Sequence, residues 1–146
     1  MTIVVDANIL FSAVITPNGK IAKILSYPFL NVKRVSCHYI AVELHRHRLK
    51  IAQISKKPEE AVIDDIQHYL KFISIYDELL IESKYLKEAK RLTEGVDLYD
   101  MDYVALTLQT GGVLWTGDKK LTEHLKSMNF DMFTNTADLY ELLRIG

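Results

Sequence analysis

A single cysteine in 146 residues rules out an internal disulfide, and without clustered partner thiols it leaves a thiolate zinc site short of ligands. Cys37 falls between an expected strand and an expected helix with no base beside it, and reads as a buried structural thiol. Also missing is any apolar run near the ~20 residues that span a bilayer. The opening Met1-Thr2-Ile3-Val4-Val5-Asp6 has no basic stretch and no small-residue cleavage site, so the expected location is the cytoplasm. Nor is there an excess of either charge. Eighteen Lys and Arg against 19 Asp and Glu give a net charge of -1, which argues against binding nucleic acid by bulk electrostatics and leaves local contacts. Repeats, low-complexity tracts and linkers are absent too, and a chain of this length is expected to form one domain over 1–146.

What is present is ordinary globular material, 49% hydrophobic and 25% charged. Residues 2–6 form a short β-branched run ending in a carboxylate, the pattern of a strand buried on both faces. Helical spacing follows over 8–14, a Thr16-Pro17-Asn18-Gly19 loop, and a second helix carried by Ile21, Ile24 and Leu25 and closed by Pro28. The pattern then predicts a strand over 32–35, one helix from 38 to about 53, a helix opened by Pro58-Glu59-Glu60, and a strand over 72–76. A serine-capped helix is expected over 83–94, an apolar helix over 103–109 stopped by Gly111-Gly112, and a strand over 113–116. A helix from 118 to 126, a strand over 130–133 and a helix over 136–143 complete the chain. Strands alternating with helices indicate a three-layer α/β/α fold with a mainly parallel central sheet.

In such a sheet ligands bind beyond the carboxyl ends of the strands. Asp6 ends the first strand, and Asp118 follows the strand at 113–116. Asp97, Asp100 and Asp102 crowd a loop-to-helix junction that opens toward the same edge if the crossovers are right-handed. Carboxylates held close together raise each other's pKa unless a cation compensates, and hard oxygen donors select Mg²⁺ or Mn²⁺. Each acid also has a plainer reading. An aspartate just after a strand is often a helix cap, and Asp100 and Asp102, ~200° apart on a helix, cannot both face one site. Asp64, Asp65, Asp77, Glu78 and Glu82 read as solvated surface. So, on physics alone, does Glu43, although the basic run His45-Arg46-His47-Arg48 beside it is either a solvated face or a strip for phosphates.

Four segments taken in order resemble the PIN-domain family, which includes VapC-like toxin ribonucleases. They are Val4-Val5-Asp6-Ala7-Asn8-Ile9-Leu10, Tyr39-Ile40-Ala41-Val42-Glu43-Leu44, Asp97-Leu98-Tyr99-Asp100-Met101-Asp102-Tyr103-Val104-Ala105-Leu106, and Leu114-Trp115-Thr116-Gly117-Asp118-Lys119-Lys120-Leu121. The resemblance implies a PIN-like fold and hydrolysis of RNA phosphodiesters with Mg²⁺ or Mn²⁺, leaving 5′-phosphate ends. It makes Asp6, Glu43, Asp100 and Asp118 the catalytic, metal-holding acids, with Asp97 as an additional ligand or supporting acid. Asp102 falls where the family requires none. Asn8 and Thr116 become supporting hydrogen-bonding residues, and Arg46, Arg48, Lys119 and Lys120 candidate RNA contacts. An antitoxin protein and a homodimer are the partners it allows for, beside the RNA substrate.

Three rival readings remain at this point. A haloacid-dehalogenase-like phosphatase also starts from a strand-ending aspartate, but wants a further acid where Asn8 stands and another where Thr122 stands. A receiver-like domain wants paired acids near the start. A non-catalytic PIN-like module that binds RNA or protein would have no reason to keep mutually repelling carboxylates.

Overall fold

The β-branched segment Thr2–Val5 forms strand β1 in the computed structural model, which describes residues 1–144. The final two residues of the expected 1–146 span lie outside the described residues. Alternation along β1 sends Ile3 and Val5 into one apolar layer and Val4 into the other, so both faces of the strand are covered. Asp6 ends the strand and caps α1, Ala7–Ile15, which is followed by α2, Lys20–Ser26. Next come β2, Lys33–Cys37; α3, Tyr39–Arg46; α4, Arg48–Ser55; α5, Glu59–Leu70; and β3, Ser74–Tyr76. A 3₁₀ turn at Glu78–Leu80 leads to α6, Ser83–Leu92. The remainder is α7, Asp100–Thr110; β4, Val113–Trp115; α8, Lys119–Ser127; β5, Phe133–Thr134; and α9, Thr136–Leu143.

All five strands are parallel, in the order β3-β2-β1-β4-β5. One layer of helices packs through Leu10, Leu25, Leu44, Val62 and Leu139, the other through Leu92, Val104, Leu106 and Leu125. The expected three-layer α/β/α fold is therefore present, with a wholly parallel sheet. The chain builds outward from β1 to β3 and then returns to place β4 on the other side of β1, so the topological switch point lies between β1 and β4. Among the described residues no helix is long and apolar enough to cross a membrane.

Four local expectations change. The single helix expected from 38 to 53 breaks at His47, whose backbone sits at φ -98°, ψ 10°, giving α3 and α4. No Pro or Gly marks the break. Residue 82, not Ser83, occupies the cap position of α6, and it makes no side-chain cap bond. The strand expected over 130–133 starts only at Phe133, because Asn129 turns at φ 62° and the Phe130 N–H is held by the Leu125 carbonyl at the end of α8. Glu78, expected as solvated surface, accepts a 2.6 Å hydrogen bond from the Tyr39 N–H and thereby caps α3 from a distant turn.

Candidate active site

Register brings the first two acids together. Val5 pairs with Trp115, so Asp6 and Thr116 come side by side just past the ladder, at the switch point. The Thr116 hydroxyl donates to Asp6 Oδ2 at 2.6 Å and accepts from the Asp118 N–H at 3.1 Å, tying the ends of β1 and β4 through one oxygen. Each aspartate is also a helix cap: Asp6 Oδ1 accepts from the Asn8 N–H at 3.4 Å and Asp118 Oδ1 from the Leu121 N–H at 3.1 Å. Each cap engages one oxygen of its carboxylate, and the second oxygen of Asp6 is the one that accepts from Thr116. Asp6 is only 5% exposed, and burial raises its pKa, opposed by the Thr116 hydroxyl and reinforced by Asp118.

The other acids arrive on helices that begin at the same edge. α3 follows the carboxyl end of β2, and α7 runs back toward the start of β4, so its first turn lies over the carboxyl ends of the strands. Glu43, half-buried on α3, accepts a 3.0 Å hydrogen bond from the buried Tyr103 hydroxyl of α7, which links the two helical layers above the sheet. Burial raises the Glu43 pKa, the Tyr103 hydroxyl lowers it, and Asp6 and Asp97 add repulsion. Asp100 feels all the others: burial first, then the charges of Asp6, Asp97, Asp118 and Glu43, push its pKa up to about 7. Asp102, two positions on, is perturbed instead by burial and by Glu78, and lies on the side of Cys37. The rotation expected from helix geometry thus separates Asp100 from Asp102.

Asn8 stands exposed between two clefts. One, of about 300 Å³, runs past Phe11, Glu43, His47 and Lys50; the other, of about 350 Å³, past Ser12, Gly117, Asp118 and Thr136. A third, of about 540 Å³, continues from Asp118 and Lys119 to Thr134 and Asn135. The cations expected to meet RNA are not equivalent. Arg48 is held by Glu59 at 2.7 Å and by the His45 carbonyl at 2.7 Å. Among the described residues Arg46, Lys119 and Lys120 enter no salt bridge, and all three are exposed.

The sequence profile of the PIN domain matches residues 4–133. The chain belongs to the PIN-domain family. No curated protein matches it. Among solved structures it is similar to a chain of VapBC2 from Rickettsia felis, a complex crystallised on a DNA fragment from its promoter, at 16% identity and a TM-score of 0.71, covering 92% of this chain and 98% of that one. A Pyrobaculum aerophilum protein aligns at 19% identity and a TM-score of 0.70 over 100% of this chain and 91% of its own. A chain of VapBC-1 from nontypeable Haemophilus influenzae aligns at 16% identity and a TM-score of 0.64, over 94% and 99%.

PIN domains are generally nucleases that use divalent metals. In this PIN domain, among the described residues, no three His, Cys, Asp or Glu side chains stand arranged to hold an ion. What the chain does present is a group of carboxylates whose charges repel one another. Two residues at this centre carry no acidic or basic signal in the sequence. Tyr103 reads as core by its apolar neighbours, and only its hydroxyl, 60 residues away from its partner in the chain, betrays another use. Tyr99, stacked on Tyr39 at a centroid distance of 4.6 Å, reads as loop.

Proposed function

We propose that this PIN domain is a divalent-metal-dependent endoribonuclease. The observation that carries the reading is the convergence on Asp100 of negative charge from Asp6, Glu43, Asp97 and Asp118, delivered by separate elements to the switch point of a parallel sheet. Asp6, Glu43, Asp100 and Asp118 would hold Mg²⁺ or Mn²⁺, with Asp97 at the rim. A cation bound there supplies charge neutralisation for the phosphodiester and lowers the pKa of the attacking water. The protein's own contribution is orientation. Thr116 fixes Oδ2 of Asp6 and the backbone that carries Asp118, and Tyr103 fixes Oε2 of Glu43. Asn8 stands where it can hydrogen-bond a ligand in either cleft, and Lys119, Lys120 and Arg46 offer charge to RNA phosphates.

Labelled single-stranded and structured RNAs incubated with Mn²⁺ or Mg²⁺ are expected to be cut to products with 5′-phosphate ends, and Asp6→Asn to abolish cutting. RNA left intact while calorimetry records bound metal would favour a non-catalytic PIN module; no metal binding at all would remove the reading. Two similar folds come from VapBC complexes, which supports a toxin-type role with an antitoxin partner. Induced expression in a bacterial host is then expected to arrest growth, and Asp6→Asn to relieve the arrest. Unimpaired growth with active enzyme would exclude the toxin role and leave the nuclease.

A further inference from the structure

Beside the acids stands a pair of aromatic rings that the chemistry above does not use. Tyr39 and Tyr99 are parallel-stacked, with centroids 4.6 Å apart and planes inclined by 9°. The Arg46 guanidinium lies alongside both, 5.9 Å from the Tyr39 ring and 6.0 Å from the Tyr99 ring. On α3, Tyr39, Glu43 and Arg46 follow at i, i+4 and i+7, so they share one helix face with Glu43 in the middle. Tyr99 immediately precedes Asp100, and its N–H is held at 3.1 Å by the side chain of Asp97. The stack therefore flanks the acidic cluster from two elements at once.

A stack that served only to join α3 to the start of α7 would be expected in the interior, where aromatic area contributes most. Here Tyr39 is the half-buried layer, Tyr99 is 42% exposed, and Leu98 next to it is 73% exposed. Arg46, unlike Arg48, is in no salt bridge among the described residues. A partly exposed ring, a cation that leans on it and is free of any carboxylate among the described residues, and a fixed backbone beneath it are the parts of a platform for an unstacked nucleobase and its phosphate.

We infer that Tyr99, backed by Tyr39, stacks a nucleobase of single-stranded RNA adjacent to the acidic cluster, with Arg46 contacting the neighbouring phosphate. This rests on the ribonuclease reading and adds to it the side of the cleft through which the strand runs. It also specifies the substrate: the base must be unpaired, because a paired and stacked base has no free face to offer.

The test is binding of an RNA oligonucleotide containing 2-aminopurine, measured by fluorescence with the full chain, Ca²⁺ replacing Mg²⁺ to prevent turnover. Wild type is expected to quench the probe. Tyr99→Ala should weaken binding roughly tenfold or more and lose the quench, whereas Tyr99→Phe, which keeps the ring and the packing, retains both. Affinity for an RNA made abasic at the quenched position, or for a duplex of the same sequence, should not depend on Tyr99. Arg46→Gln should lower the slope of log K against log salt by about 0.7. Equal binding and equal cleavage by wild type and Tyr99→Ala overturn the platform and leave the nuclease standing. So does a Tyr99→Ala loss of the same size on abasic RNA, which would place the contact on the backbone. A wild type that neither binds nor cuts single-stranded RNA with any of these metals overturns both.

Discussion

Tyr103 shows how a neutral residue can govern a charged one. Its ring is buried in the core with Val104 and Leu106, while its hydroxyl donates to Glu43 at 3.0 Å. Burial holds the phenol well above its ordinary pKa, so it stays a neutral donor throughout the working range. Tyr103→Phe keeps the packing and removes only the donor. Glu43 then loses the bond that favours its charged form, and if it holds metal as proposed, metal affinity is expected to fall about 10- to 100-fold, as when a group that orients a ligand is removed. Titration calorimetry with Mn²⁺ checks this. An unchanged affinity would mean that Glu43 is placed by its helix alone.

Element geometry depends on close approach as much as on side chains. Between α7 and β4, Gly111 closes the helix at φ 67° and Gly112 brings the chain against β1. A Cβ at Gly112 would stand 2.5 Å from the Thr2 carbonyl oxygen, a backbone atom that cannot swing aside. Gly112→Ala is therefore expected to push β4 off β1 and to cost about 1–3 kcal/mol in denaturant unfolding, as overpacking of a tight core does. Wild-type stability in the variant would show that the turn can give. Cleavage activity should fall with it, since the β1–β4 register is what sets Asp6 beside Thr116. The doublet was legible in the sequence as a helix stop, but its contact with β1 was not, because the partner is 110 positions away. The same division runs through the molecule. The first four strands were legible from a β-branched run or a place between helices, the fifth was expected too early because the turn at Asn129 holds Phe130 at the end of α8, and helix rotation alone was enough to part Asp100 from Asp102. The break at His47 has no Pro or Gly to announce it, and the cap that Glu78 supplies to α3 crosses 39 positions. Strand ends made Asp6 and Asp118 stand out. Glu43, on a helix that reads as solvated, needed the family resemblance, and the aromatic pair beside it gave no charge pattern to notice.

For the whole molecule, the acids at the switch point oppose folding at the pH where they are all charged. Asp100, with a folded pKa of about 7 against an ordinary value of 3.8, binds its proton more tightly folded than unfolded. Its contribution to stability is therefore complete below about pH 4 and is lost as pH rises through about 7, opposite in sign to a salt-bridged aspartate. Asp6 and Glu43, raised by the same burial, shift in the same direction. In chelator, unfolding free energy should fall by on the order of 1 kcal/mol between pH 5 and pH 8, less than the full shift of Asp100 would give because solvent reaches its carboxylate and screens the repulsion, a change readable as a few degrees in Tm. On the proposed reading a divalent cation would bind the deprotonated acids, so Mg²⁺ or Mn²⁺ should restore stability at pH 8 and do little at pH 5, with protons released on binding. Asp6→Asn removes one of the repelling charges while keeping a side chain of the same size. It is expected to be more stable than wild type in chelator at pH 8, by about 1 kcal/mol, and to gain nothing from added metal. Calorimetric melts of both proteins at the two pH values, with and without Mn²⁺, separate the possibilities. If wild type in chelator is as stable at pH 8 as at pH 5, the carboxylates are not strained against one another and the ion has no repulsion to relieve. If Asp6→Asn melts lower than wild type in chelator at pH 8, the hydrogen bonds of Asp6 to Thr116 and Asn8 outweigh the repulsion, and the aspartate serves the fold before it serves a metal.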